Sequence, residues 1–213
     1  MHHILSDALP GMETRYRTNL INSLSGFKSL NLVGTHSSTK QTNLAVFSQV
    51  FHIGADPALL GLLVRPHTVP RHTLENIQET GDFTLNHIRE EFMLQAHHTS
   101  ARWEESEFSA CHLTPWYSGH LSAPYVAEAN VRIGLRLQET TPLACNNTVL
   151  LIGSVEEIWL PTGCLLADGF VDLQKAGSLT CSGLDSYHKV YKGMRLSYAK
   201  PHALPKVLNQ NPL

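Results

Sequence analysis

Residues 42–53 read Thr42-Asn43-Leu44-Ala45-Val46-Phe47-Ser48-Gln49-Val50-Phe51-His52-Ile53, and residues 65–77 read Arg65-Pro66-His67-Thr68-Val69-Pro70-Arg71-His72-Thr73-Leu74-Glu75-Asn76-Ile77. The first stretch predicts a strand over about Asn43 to Ile53. Its alternation is imperfect, because Ser48 interrupts the face that carries Leu44, Val46 and Val50. Asn43 and Ser48 offer hydrogen bonds to the polar edge of a flat ring, and Ala45 leaves room for it. The second stretch brings Arg65, Arg71 and Thr73 to the start of a helix predicted from Leu74 to about Thr80. The opening turn of a helix has unpaired N–H groups and a partial positive charge, so a phosphate binds there readily. Thr73 stands at the predicted N-cap, and the arginines can add charge-assisted bonds. Together the stretches imply a phosphorylated planar cofactor. Each also has a plain structural reading: an edge strand with polar residues toward solvent, and an ordinary capped helix with exposed arginines.

Working outward, residues Glu13 to Leu24 predict a helix ending near Gly26, and Leu30 to Thr35 a first strand. Leu59 to Val64 is a short apolar run after the Asp56-Pro57 turn, as expected of a strand covered on both faces. Asp82 to His87 is the next strand, and Glu90 to His98 a polar helix. Trp103 to Pro124 lacks periodicity, and a loop of that length is often lid-like. Val131 to Leu137 alternates cleanly. Its antiparallel partner is Thr148 to Trp159, across a turn at Asn146-Asn147, with a bulge near Glu156-Glu157. Ser178 to Ser182 is a last short strand, and a proline-bearing tail after Lys200 is extended or docked on a neighbour. No repeat and no linker interrupt the 213 residues, so a single β-rich domain is expected, a barrel rather than a doubly wound sheet.

The 42% hydrophobic content suffices for a core, and no run approaches the roughly 20 apolar residues of a membrane helix. Sixteen basic residues against eighteen acidic ones give no field that attracts nucleic acid or a membrane surface. Charged residues are only 16%, which fits a surface partly buried in an oligomer. Cys111, Cys145, Cys164 and Cys181 form no C-x-x-C pair, and the first residues show no basic-then-apolar signal. A reduced, cytoplasmic protein is the expectation. His97 and His98 are adjacent and cannot both reach one metal, so they and His87 and His112 read as surface residues. No G-x-G-x-x-G or P-loop is present, and Ser25-Gly26 and Ser182-Gly183 lack the setting of a hydrolase nucleophile.

The order and spacing of several segments resemble the flavin reductase-like family of FMN-binding split-barrel proteins, of the flavoredoxin type. The similar pieces are Arg17 to Gly26, Asn43 to Ser48, Asp56-Pro57 before an apolar strand, Arg71 to Ile77, Gly81 to Asn86, and Ile152 to Val155. Ser182 to Tyr187 and Arg195 to Pro201 match near the end. The resemblance implies a mainly β fold, a six-stranded antiparallel split barrel with peripheral helices. It implies residues 1–213 as one domain with an N-terminal helical extension and a C-terminal extended tail. It further implies a homodimer holding FMN near the subunit interface. Asn43, Leu44, Ala45 and Ser48, with Thr42 at the head of the run, would contact the ring and ribityl parts. Arg65, Arg71, His72 and Thr73 would surround the phosphate, with Asn76 nearby. Backbone N–H groups at Ser48, Gln49 and Val50 would face the flavin edge, and Tyr187 and His188 would close it. The implied activity passes electrons from NAD(P)H through FMN to a small-molecule or protein acceptor. The alternatives are a non-catalytic FMN carrier of the same fold and a structural protein that has lost its cofactor. Where the family has a Gly-Asp-His-like turn, this chain has Asn146-Asn147-Thr148.

Overall fold

A computed structural model of the chain describes residues 1–66, 71–191 and 193–208; His67 to Pro70 of the second stretch lie outside the described residues. Helix α1 (Thr14–Leu24) is capped by the Glu13 carboxylate, which accepts from the N–H groups of Arg15 and Tyr16. Strands β1 (Lys28–Ser29), β2 (Asn31–His36), β3 (Thr42–Phe47), β4 (Val50–Ala55) and β5 (Ala58–Val64) follow, then helix α2 (His72–Thr80) and β6 (Asp82–His87). Helices α3 (Met93–His98) and α4 (Glu107–Ala110) lead to β7 (Pro115–Trp116) and β8 (Tyr125–Val126). The long pair β9 (Arg132–Leu143) and β10 (Thr148–Trp159) precedes β11 (Leu179–Ser182) and β12 (Ser186–Lys189).

Seven strands form one antiparallel sheet in the order β3-β2-β6-β9-β10-β5-β4. The strand expected over 43–53 is in fact two. Ser48 and Gln49 belong to neither strand, although the Gln49 carbonyl already accepts from Leu63 N of β5 at 3.0 Å, and the chain passes from one edge of the sheet to the other. That division supplies the seventh strand where six were expected. Val33, Leu62, Phe83, Leu135 and Leu151 point to the concave side and are at most 1% exposed. Helix α2 adds Leu74 and Ile77 to this cluster. Its C-cap is Gly81 at φ 80°, a left-handed position that glycine adopts without a Cβ penalty. The β9–β10 pair has two register shifts, one at Ile152/Gly153 and one between Val155 and Glu157, the second where the broken alternation placed a bulge.

Residues 88–129 are not an open lid. They cover the outer face of β2 and β3, where Phe92, Phe108, Cys111 and Leu113 pack on Leu32 and Leu44. The segment from Leu121 to Val126 is fastened by hydrogen bonds to β6. Thr84 Oγ1 donates to Pro124 O at 2.6 Å, and Asn86 Oδ1 accepts from Val126 N at 2.9 Å. This close approach explains two glycines. A Cβ on Gly34 would lie 2.1 Å from Pro124 O, and one on Gly134 would lie 2.2 Å from Tyr125 Oη.

Gly34→Ala is therefore expected to destabilise the fold by about 1–3 kcal/mol, because backbone and not a flexible tip must move. An unchanged denaturation midpoint would refute that packing. A second expectation concerns His87 on β6, whose Nδ1 lies 2.9 Å from Ser178 Oγ. Burial holds its pKa down to about 4, from 6.5 in the unfolded chain. Between these values the unfolded chain takes up a proton that the folded chain refuses. Stability is thus fully present above pH 6.5 and falls as the pH drops toward 4, by up to about 3 kcal/mol. Denaturation at pH 7.5, 6 and 5 should show this loss in the wild type and a flatter dependence in His87→Gln.

Candidate functional site

The two stretches that opened the sequence meet in space. Asn43, near the start of β3, donates from Nδ2 to Thr73 Oγ1 in the first turn of α2 at 3.0 Å. The same amide lies 3.2 Å from Thr35 Oγ1 on β2, which also accepts from Asn76 Nδ2 at 3.1 Å. All four side chains are buried, none more than 8% exposed. A buried polar group without a partner costs about 1–3 kcal/mol, so these groups satisfy one another and fix α2 against the β2–β3 hairpin. Asn43, Thr73 and Asn76 thus face each other rather than an open groove. Thr35 belongs with them, and the sequence reading omitted it. Its signal lay in the hairpin register, which sets Thr35 opposite Asn43.

Thr73 is not the N-cap of α2. Arg71 occupies that position, and no side chain caps the first turn. The N–H groups of that turn carry no side-chain cap, and with the positive end of the helix dipole they favour a nearby anion. Arg71 is half-buried, and its Nε lies 3.5 Å from Pro66 O. Its own N–H is held by Glu75 Oε1 at 3.2 Å. His72 is exposed beside it, and exposed Arg65 follows the end of β5, on the other side of residues 67–70. Two guanidinium groups and an uncapped helix turn suit a phosphate dianion.

From this seat β3 runs about 17 Å from Asn43 to Ser48 at the usual strand rise. It is an edge strand, with β2 on one side only. Leu44 turns its side chain into the outer core at 0% exposure, and its N–H is covered by Glu107 Oε2 at 3.0 Å. Thr42 is likewise tied to α4 through Ser106 Oγ at 2.7 Å. In an antiparallel strand the backbone groups alternate sides, so the next outward-facing pair belongs to Val46. Ala45 and Ser48 are half-buried and Gln49 is exposed. The Val50 N–H is engaged by Ser29 Oγ at 3.2 Å and the Gln49 carbonyl accepts from Leu63 N at 3.0 Å, which leaves the Ser48 backbone and the Gln49 N–H as the open groups at this end among the described residues.

Cys181, from the chain's last third, stands beside Ser48. The Cys181 thiol is pushed up by burial, against the opposing influence of Lys28 and a hydrogen bond with Ser48, so it stays protonated. Tyr187 Oη lies 2.5 Å from His97 Nδ1, with the rings edge to face. His188 is hydrogen-bonded to Ser182 Oγ at 2.8 Å and packs edge-on against Phe27. His98 packs edge-on against Trp103. Among the described residues no group of three or more His, Cys, Asp or Glu side chains can hold a metal ion.

The uncapped turn and the outward backbone of Val46 and Ser48 suit a molecule with a phosphate at one end and a flat ring at the other. A family model for the flavin reductase like domain matches residues 28–172. An uncharacterised protein, BH2278 of Halalkalibacterium halodurans, is 31% identical over 121 residues. That alignment covers 54% of this chain and 57% of the relative, so the match spans little more than half of its length. The crystal structure of a split-barrel-domain protein from Shewanella frigidimarina, assigned as a flavin reductase, superposes with a TM-score of 0.90 at 43% identity. It covers 93% of this chain and 100% of that one. Component B of nitrilotriacetate monooxygenase from Bacillus cereus shares the fold with a TM-score of 0.80 at 23% identity, over 92% and 98% of the two chains. The chain belongs to the flavin reductase-like family of split-barrel proteins.

Proposed function

We propose that this protein binds FMN along β3, phosphate at the α2 turn, and passes electrons from NAD(P)H to a small-molecule or protein acceptor. The observation that carries the reading is the Asn43–Thr73 hydrogen bond, which joins the ring-side strand to the uncapped helix turn. FMN, when bound, supplies the redox chemistry, accepting hydride from the reduced nicotinamide and releasing electrons to the acceptor. The protein's own part is positioning. Arg65, Arg71 and His72 hold the phosphate charge, the α2 N–H groups orient it, and the Val46 and Ser48 backbone presents donors to the ring's polar edge. No side-chain acid or base is required for a hydride step, and the protonated Cys181 is not a nucleophile here.

The unit proposed is a homodimer. Phe51 and Ile53 on the edge strand β4 are each 39% exposed, and Tyr198 and Leu204 in the C-terminal arm are each 91% exposed. A monomer seldom leaves so many large apolar groups in water. The described cysteines are all free thiols, in keeping with a reducing, cytoplasmic setting.

Titration with FMN, followed by flavin fluorescence, is expected to show saturable binding; its absence sinks the reading. Arg71→Ala should weaken that binding by about 1.5–3 kcal/mol, the loss of one charge-assisted bond. An unchanged dissociation constant would remove Arg71 from the site. With FMN bound, steady oxidation of NADH or NADPH is expected. FMN binding without turnover on either nucleotide would assign the protein as a carrier instead.

A further inference from the structure

Helix α2 is tied to the β2–β3 hairpin at three points along its length. Thr73 in the first turn accepts from Asn43 at 3.0 Å, and Asn76 in the middle donates to Thr35 at 3.1 Å. Glu79, exposed near the end, accepts from Ser38 N at 3.0 Å. Thr35 is the hub of the first two ties. It stands opposite Asn43 on β2, is 0% exposed, and its Oγ1 accepts from Asn43 Nδ2 at 3.2 Å as well as from Asn76 Nδ2. A hydroxyl oxygen has two lone pairs, so both are taken and each amide is held with its nitrogen inward. For Asn43 this is the orientation that also reaches Thr73. For Asn76 it is the one bond its amide nitrogen makes among the described residues. Leu74 and Ile77 hold α2 against the sheet, but apolar contact is non-directional and leaves rotation and sliding of the helix free.

We propose that Thr35 is a positioning residue that makes the site select a phosphorylated flavin over the same flavin without its phosphate. The inference rests on the FMN reading above. Thr35 is fully buried and touches no ligand itself. It acts through Asn43 and Asn76, which set the first turn of α2, and so its free N–H groups, at a fixed place beside β3. Hydrogen bonds weaken steeply with misalignment, so a shifted turn loses its hold on a phosphate. A ring held by the backbone of Val46 and Ser48, farther along β3, does not depend on that turn. Loss of the Thr35 hydroxyl therefore costs the phosphate contacts and spares those of the ring.

The test is Thr35→Val in the full-length chain, which keeps the shape of the side chain and removes the acceptor. Dissociation constants for FMN and for riboflavin are read from flavin fluorescence, below the melting temperature of each variant. FMN is expected to weaken about fivefold or more and riboflavin by less than about twofold, so the preference for FMN falls. Thr35→Ser, which restores the hydroxyl, should return that preference to the wild-type value. Glu79→Gln, at the exposed far end of α2, should leave it unchanged. Asn76→Ala removes one donor to the hub and should lower the preference too, which keeps the test open if the valine chain does not fold. Equal weakening of both flavins, as a general loosening of the fold would give, overturns the proposal. So does an unchanged FMN constant in Thr35→Val; in both cases FMN binding by the wild type still stands. A wild-type chain that binds no FMN overturns the proposal together with the reading beneath it.

Discussion

Two residues, Ser48 and Gln49, join the two edge strands of a seven-stranded sheet. Laid flat, seven strands would set their edges about 29 Å apart at the usual inter-strand spacing. The link from Phe47 to Val50 spans three Cα steps, at most about 11 Å. The sheet must therefore roll until β3 and β4 meet. Rolling encloses Val33, Leu62, Phe83, Leu135 and Leu151 in a common interior and leaves a seam between the edges without ladder hydrogen bonds. The seam is pinned from outside. Ser29 bonds both backbone groups of Val50, and Cys181 stands beside Ser48. The proposed flavin groove lies along this seam, so one covalent constraint shapes both the core and the candidate site.

The polar cluster of Thr35, Asn43, Thr73 and Asn76 adds little net stability. Each of its hydrogen bonds replaces one to water, and the net gain per bond is about 1 kcal/mol. Its effect is geometric, because an apolar set of the same volume would let α2 slide on the hairpin. With the cluster satisfied, the first turn of α2 stands at a fixed place beside β3. A phosphate held by that turn then fixes the distance at which anything attached to it meets Ser48.

Much of this was legible in the chain. The β9–β10 hairpin, its bulge near Glu156-Glu157, the Gly81 helix end and the 82–87 strand all follow from patterns that local backbone physics imposes. Ser48 also gave its signal, as a break in alternation, but a break inside a strand and a crossing between sheet edges look alike until the partners are known. Thr73 was read as a cap because a threonine before an apolar helix commonly is one; its hydroxyl instead accepts from Asn43, thirty residues earlier. Thr35 passed as an ordinary β-branched strand residue. Residues 103–124 show no period because their packing is set by the strands beneath them, where Gly34 admits Pro124 and Gly134 admits Tyr125.

An edge strand is an exposed row of N–H and C=O groups, and a protein that leaves one open risks pairing with another chain. Here α4 covers the first part of β3, through Glu107 on Leu44 and Ser106 on Thr42. The cover ends at Leu44, so the outward backbone of Val46 is the first open position, immediately before the Ser48 turn. A short helix that protected the whole edge would have closed the groove. One that protected none would have left β3 free to extend a foreign sheet. The length of α4, four residues, divides the strand into a guarded half and an open half.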